Sequence, residues 1–541
     1  RGAVIPPFVY LKDRVLVTVD IRSIGMPGEA SLRLLRAEGK GEKEVAAIKV
    51  APKPDGLRTA ARVEFVADKP GLQRYALALG PATGELTEAN NTLHFYLDVR
   101  PEKIRVLFAE GQPGWEYRFA KAALEKDPAV AFHGLLRLPP DEWFYQGPAK
   151  RDDGKPVLAS SKNGLPDTLE ELAFFDVVIL GDLERKTFEE AKRFELLDLF
   201  VRERGGGLGT LGGMNVYNAG HYNDTPLARL LPFRLSGDKK TQLVNRFQVK
   251  LSPQGLLHPV LQLEADPAKN EEAWAGLPWV EGGNAISRVK PSAVELLAHP
   301  AVRTKYGPRP LAAAWECGRG RVFSTALDGT WHWSTARKTE TDYHGRYWGL
   351  LVRWLAGDPR VQSGQALVLE TPVCEAGKPL TVSISLRTPA GLPISDADVV
   401  LALGLPDRTT ASARLISDPS NPGRYALTLA PPSAGDLVIR GECRLSDGAV
   451  LKRELAVSVD PSREEYLEVR PDDDGLRALA AATGGRTATI GKAQDLDIPA
   501  PPALRQAASV RVEVWRAPGL VMALVGCVIV EWAMRKRRGL A

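Results

Sequence analysis

The run FFDVVILGD at residues 174–182 is largely apolar, lacks polar alternation and ends in Gly-Asp. A strand reads this way when both its faces are covered, as in a parallel sheet with helices packed on each side. The surrounding sequence alternates between strand and helix. IRVLFAE (104–110) precedes a helical stretch from Trp115 to Lys126, VAFHGLL (130–136) is a second strand, and RVFSTAL (321–327) is a later one. Thr187 and Glu190 have the spacing of a capping box; Phe188, Leu196, Leu199 and Phe200 supply the apolar positions of that helix, and Gly205 ends it. Thr341 to Ala356, with Trp348, Leu351, Trp354 and Leu355, is a further helix that stops at Gly357. Residues 101–360 are therefore expected to form a doubly wound, flavodoxin-like α/β domain. Residues 138–168 read as a polar surface loop, and 232–312 as an insertion of mixed character whose elements cannot be placed.

The flanks have a different period. Val15, Val17, Val19 and Ile21 alternate with mostly polar neighbours, as do Val63 and Phe65, then Tyr75, Leu77 and Leu79. Gly, Pro and Asn clusters separate these runs, which predicts an Ig-like β-sandwich over 1–100. The texture returns over 361–460, where Val382, Ile384 and Leu386 alternate and RYAL of 74–77 recurs at 424–427. A second sandwich of the same type is the economical reading. Cys374 and Cys443 fall within it and could bridge, and no CxxC pair occurs anywhere. Residues 461–516 read as a linker with one short helix, capped by Asp474 or a neighbour.

Ala517 to Val530 carries no charge, and EWAM extends the apolar run to Met534, with Trp515 and Trp532 near its two edges. Residues 517–534 are expected to cross a membrane, and Arg535-Lys536-Arg537-Arg538 opens a basic tail (535–541) held in the cytoplasm. The bulk of the chain then lies outside the bacterial inner membrane, in the periplasm. Export needs a signal or an upstream span. The chain opens on RGAVIPPF, without Met or an apolar h-region, so an N-terminal membrane segment is expected to precede it. The net charge of +5 is scattered except at the end, which excludes the concentrated basic face of a nucleic-acid binder.

Residues 205–220 read GGGLGTLGGMNVYNAG. Gly207-x-Gly209-x-x-Gly212 spells the dinucleotide fingerprint, but that motif must follow a strand and open a helix. Here a helix precedes it and a loop follows, and no GxxxxGK[ST] is present, so neither nucleotide nor cofactor is expected. The glycines instead suit a buried strand running into a tight turn.

The strand–helix order and GLGTLGG resemble the class I glutamine amidotransferase-like superfamily over about 103–356. In that family a strand enters G-x-C-x-G, and the cysteine on the turn is activated by a distant His and Glu. Gly209-Thr210-Leu211-Gly212-Gly213 puts Leu211 at the nucleophile's position, and leucine has no nucleophilic capacity. Thr210 is turned to the other side by strand alternation, Cys317 precedes a strand, and His221 has no nucleophile to serve. The whole chain resembles a family of large planctomycete-type envelope proteins that carry β-sandwiches around a non-catalytic amidotransferase-like domain. The matching stretches include VLFAEGQPGWEYRF (106–119), RERGGGLGTLGG, GRGRVFSTALDGTWHW (318–333), YWGLLVRWLAG (347–357) and EWAMRKRRGL. The resemblance implies membrane attachment, an extracytoplasmic location and envelope protein partners, and it brings no established activity.

Ligands of open α/β sheets bind beyond the carboxyl ends of the strands. There the sequence places Glu110, Gln112, Trp115, Asp182, Gly212, Gly213, Asn215, Asp328, Trp331 and His332, with Trp333 as a further wall. No metal-ligand spacing accompanies them. The expected function is a membrane-anchored scaffold on an inactive amidotransferase-like domain. The alternative is an envelope hydrolase, an amidase or carbohydrate-active enzyme, which needs Asp182, Asp328 or His332 within reach of a common ligand.

Overall fold

The computed structural model describes residues 3–539, apart from 25–27, 40, 83–84, 86, 140–141, 152–153, 155, 159–164, 190–191, 236–241, 336–340, 358–364, 370–373, 389–392, 447, 462–471, 489 and 496–516. The chain divides into two compact units, Arg1–Leu467 and Glu468–Ala541.

The centre of the first unit is a nine-stranded mixed sheet. In chain order its strands are β1 (Ile104–Glu110), β2 (Val130–Leu138), β3 (Glu142–Gln146), β4 (Val177–Leu180), β5 (Gly207–Thr210), β6 (Lys250–Leu251), β7 (Val294–Thr304), β8 (Gly307–Cys317) and β9 (Gly320–Thr325). They lie in the order β3-β2-β1-β4-β5-β9-β8-β7-β6. β2, β1, β4, β5 and β9 run parallel, and the strands at both edges are antiparallel. Both faces are covered, as the continuous apolar runs require. Val106, Phe108, Val177 and Ile179 meet helices α1 (Trp115–Lys126) and α4 (Tyr343–Ala356) through Tyr117, Leu124, Trp348 and Leu355. Leu107, Ala109, Val178, Leu180 and Leu208 meet Phe194 and Leu197 of α2 (Arg193–Leu199) on the other face.

Three expectations change here. Part of the surface loop expected over 138–168 is the edge strand β3, paired with β2. The helix predicted from Thr187 is interrupted: a short turn Lys186–Glu189 is followed by Lys192 in the left-handed region, α2, and a π-helical turn Phe200–Arg204. Glu190 lies outside the described residues, while Gly205 does end the segment at φ 88°. The insertion 232–312 also has regular structure. It supplies β6, β7 and the start of β8, the helix α3 (Pro267–Gly276) capped by Asp266, and an antiparallel strand pair of Gln242–Phe247 with Val280–Asn284. Its short elements and bulged register hid the period.

Each flank is a β-sandwich of a three-stranded and a five-stranded sheet. Numbered within each flank in chain order, the strands follow 1-3-6 and 2-8-7-4-5 in both, so the two sandwiches share one topology. The repeated RYAL is nevertheless a coincidence. It lies in the seventh strand of the first (Gly71–Leu79) and the sixth of the second (Arg424–Leu429). The sandwiches meet through equivalent strands: Arg74 faces Asp436 at 3.4 Å, and His94 faces Asp460 at 3.7 Å. Cys374 and Cys443 are both buried free thiols, so no bridge joins them.

Arg353 of α4 ties the first sandwich to the centre. Its guanidinium donates to Asp13 of the sandwich (Nε, 2.9 Å) and to Asp127 at the end of α1 (Nη1, 2.6 Å). In the second unit, α5 (Asp473–Ala482) is capped by Asp472 rather than Asp474, through its carboxylate and the Gly475 amide. The helix α6 (Pro518–Arg537) contains an 18-residue stretch of mean hydropathy 1.5 and is long and apolar enough to cross a membrane.

β5 packs its backbone directly against α4. A Cβ on Gly207 would lie 2.4 Å from the Leu355 carbonyl oxygen of α4. Gly207→Ala is expected to destabilise the protein by about 1–3 kcal/mol in urea unfolding. Gly276→Ala, where a Cβ meets nothing within 4 Å, is expected to stay within about 0.5 kcal/mol of the native protein.

Candidate functional site

In chain order the parallel strands stand 2-1-3-4-5, so the direction of winding reverses between β1 and β4. Glu110 ends β1 at this point and Gly181-Asp182 follow β4. The Glu110 carboxyl is buried, and its Oε1 accepts from the amides of Gly111 (3.0 Å) and Asp182 (2.8 Å). It therefore fastens the two strand ends together. Burial pushes it up to about 8, against the pull of those amides.

Asp182 faces the glycine turn. Its two oxygens accept from the Asn215 backbone (2.6 Å) and side-chain amide (3.0 Å), and a Cβ on Gly213 would lie 2.4 Å from Oδ1. Asp182 and Asn215, paired by expectation only in their location, are thus directly bonded.

The turn itself is closed. Leu211 is 3% exposed and packs in the core. The Gly212 amide donates to the Leu327 carbonyl at 3.0 Å, and the Gly213 amide donates to Asn284 Oδ1 at 3.0 Å. Asn284 Nδ2 and Gln242 Nε2 both donate to the Gly213 carbonyl, each at 2.9 Å. Asn284 and Gln242 come from the two strands of the inserted antiparallel pair, and neither stood out in the sequence. No local signal could have found them, because a carboxamide recruited from 71 residues away has no motif. An oxyanion hole needs backbone amides that are free to receive developing charge, and both of these are occupied.

Thr210 points away from the turn, as alternation requires. Its hydroxyl bonds Tyr217 (2.9 Å) and Ser324 (2.6 Å) in a buried network that the sequence reading missed. Cys317 sits at the β8–β9 turn, at the opposite end of the parallel strands, and burial pushes its thiol up. His221 is exposed, in the left-handed region.

Around the turn after β9, Glu116 of α1 accepts from the hydroxyl of Thr330 and from the Trp331 amide (3.1 Å). Its burial pushes the carboxyl up to about 7. Glu116 thereby caps the turn Thr330–Thr335. Asp328 reaches solvent, but the protein packed around its carboxyl and then the charge of Asp182 push it up, which places these two carboxylates in one field. His332 lies between Trp331 (ring centroids 3.7 Å apart) and Trp279 (4.5 Å), and burial lowers it. Trp333 does not wall the site: it is 2% exposed and packs on Trp274 and Tyr347. Trp115 is 55% exposed, 5.8 Å from Trp331, and Gln112 is exposed. Among the described residues no group of three or more His, Cys, Asp or Glu side chains could hold a metal ion.

Glu110 and Glu116 hold their protons more tightly folded than unfolded. The stability they add is complete below the ordinary glutamate range and is lost as pH rises through about 7 for Glu116 and about 8 for Glu110. The melting temperature is expected to fall between pH 5 and pH 9, and a Glu110→Gln, Glu116→Gln double variant is expected to flatten that fall. An unchanged slope in calorimetric scans of the double variant would contradict this assignment.

No family model matches the sequence, and no curated protein matches it. Solved structures similar to part of the chain include the CARDB domain of the PF1109 protein of Pyrococcus furiosus, in complex with di-metal ions (18% identity, TM-score 0.16, 18% of this chain and 90% of that one). CopC of Methylosinus trichosporium OB3b has 14% identity and a TM-score of 0.13, over 16% of this chain and 82% of its own. Superoxide reductase (neelaredoxin) of Ignicoccus hospitalis has 15% identity and a TM-score of 0.14, over 19% and 88%.

Proposed function

We propose that the protein is a membrane-anchored, extracytoplasmic scaffold or binding protein built on a catalytically inactive, glutamine amidotransferase-like domain. The strand order 2-1-3-4-5 is the flavodoxin-like one and is compatible with that superfamily. The observation that carries the inactive reading is the closed turn. Leu211 stands where the nucleophile belongs, the Gly212 and Gly213 amides are occupied, and Asn284 and Gln242 of the inserted strand pair seal the backbone behind it. The helix α6 supports the anchor, and the basic residues after Trp532 support a cytoplasmic C-terminus by the positive-inside rule. The shared topology of the two sandwiches and their contact with each other support a binding frame rather than a hydrolase with accessory loops.

The alternative hydrolase draws on the raised carboxyl of Asp328 beside the charge of Asp182. Against it, Asp182 is already bonded twice to Asn215, and His332 is held between two indoles.

The full chain and its Leu211→Cys variant are expected to release no ammonia from glutamine above the protein-free rate. A cysteine there would still face two occupied amides. Glutamine turnover by the native chain, or its appearance in Leu211→Cys, would overturn the inactive reading.

A further inference from the structure

The antiparallel hairpin of β7 and β8 runs past the sheet it belongs to. β6 pairs with β7 at Leu297 and Ala298, and β9 pairs with β8 from Ala312 onward. Among the described residues, 299–310 find strand partners only in each other, as at Arg303–Pro308 and Thr304–Gly307. They form an arm at the carboxyl end of the parallel strands, because β8 is antiparallel to β9 and sets Ala312 opposite Thr325, the last residue of β9. The arm is ordered at both ends. At its base, His299 Nδ1 accepts from the amides of Ala301 (3.1 Å) and Val302 (2.9 Å), and its ring lies 4.3 Å from that of Phe247. At its tip, the Thr304 hydroxyl accepts from the Tyr306 amide at 3.1 Å, and Gly307 turns the chain at φ 136°.

The charge of this region is one-sided. Between residues 282 and 315 the chain holds five cations, Arg288, Lys290, Arg303, Lys305 and Arg309, and one acid, Glu295. Lys290 donates to the carbonyls of Ala228 and Arg229, each at 2.8 Å. The flanking acids Glu281 and Glu316 pair with Arg246 and Arg321. Among the described residues, Arg288, Arg303, Lys305 and Arg309 have no acidic partner. Three of the four are steadied by groups that leave their charge intact. The Arg288 guanidinium lies 4.4 Å from the Tyr306 ring and the Lys305 ammonium 5.2 Å from it, while Arg309 Nη1 donates to the Ile286 carbonyl at 3.1 Å. The charge is felt at the base of the arm, where His299 is lowered by burial and then by Arg309. Arg303, Lys305 and Tyr306 are exposed, the tyrosine by 52%.

We propose that this arm docks on the surface of an anionic lipid bilayer, with its cations against headgroup phosphates and Tyr306 at headgroup level. Three features select a bilayer over an acidic protein. The cations are spread along an arm instead of converging on a pocket, which suits a field of phosphates. The exposed residue at the tip is a tyrosine, whose apolar ring and polar end favour the membrane–water interface. The chain also carries α6, long and apolar enough to cross a membrane, which would tether the arm to such a surface. The inference rests on the membrane-anchored reading of the protein and adds a second part of the chain that meets lipid.

The test is limited trypsin digestion of the full chain in lipid nanodiscs, read by mass spectrometry. Discs of phosphatidylcholine alone are compared with discs of equal parts phosphatidylcholine and phosphatidylglycerol. Trypsin cuts the arm after Arg303 and Lys305, and the exposed turn at Arg408–Thr409 serves as internal reference. Cutting of the arm is expected to slow about tenfold in the anionic discs, with the reference unchanged, and to recover in high salt. Arg288→Gln keeps both cleavage sites and is expected to weaken the protection about fivefold. Tyr306→Ser is expected to weaken it as well while keeping the native melting temperature, because the ring is in solvent. Equal cutting of the arm in the two discs, or full protection in both variants, would overturn the proposal. Protection by soluble polyglutamate but not by phosphatidylglycerol would also overturn it, assigning the arm to an acidic protein. A chain that enters both discs and is cut equally keeps its anchor and loses only the docking surface. A chain that enters neither contradicts the anchor, and the docking with it.

Discussion

The close approach of β5 to its neighbours sets the geometry of the central domain. Gly207 has no room for a side chain against the Leu355 carbonyl, and a Cβ on Gly212 would lie 2.3 Å from the Ala326 carbonyl oxygen. This lets α4 lie directly on the middle strands, with Trp348, Leu351 and Leu355 fully buried. The same helix carries Arg353, whose ion pairs with Asp13 and Asp127 join the first sandwich to the sheet. A glycine-rich strand therefore governs both the core and the docking of a neighbouring domain. Dense backbone packing of this kind tolerates little added volume.

The chemistry at the carboxyl end follows from that packing. With the turn drawn into the core, Leu211 fills space and the amides around it find partners within the protein. Glu110 joins the ends of β1 and β4 from a buried position, and Asp182 is bonded to Asn215. The acidic groups thus brace the loops. Trp115, by contrast, stays open to solvent, its ring 5.8 Å from Trp331 in the turn after β9.

Much of this was legible because it depends on local pattern. The continuous apolar run at 174–182 required a sheet covered on both faces, and α1 begins and ends where its period does, at Trp115 and Lys126. Gly205 and Gly357 ended their helices as glycines do. The inserted strand pair was illegible because its strands are short and far apart in the chain, its register is bulged, and its two carboxamides matter only through distant contacts. The likeness of the two sandwiches was read from the returning alternation at Val382, Ile384 and Leu386, with RYAL as a minor addition; RYAL occupies different strands in each, and the shared strand order carries the likeness instead. Topology was preserved where the tetrapeptide meant nothing. Glu116 was visible as an acid in a first turn, but its partners, Thr330 and Trp331, come from across the domain.

The central claim is that the glycine turn is a closed packing element rather than an open site. Hydrogen exchange read by mass spectrometry on the peptide covering 207–215 tests it most directly. If the amides of Gly212 and Gly213 are bonded to Leu327 and Asn284, that peptide should exchange as slowly as β1 and β4. Exchange as fast as that of exposed loops would contradict the account, because it would leave those amides open to a ligand or a transition state.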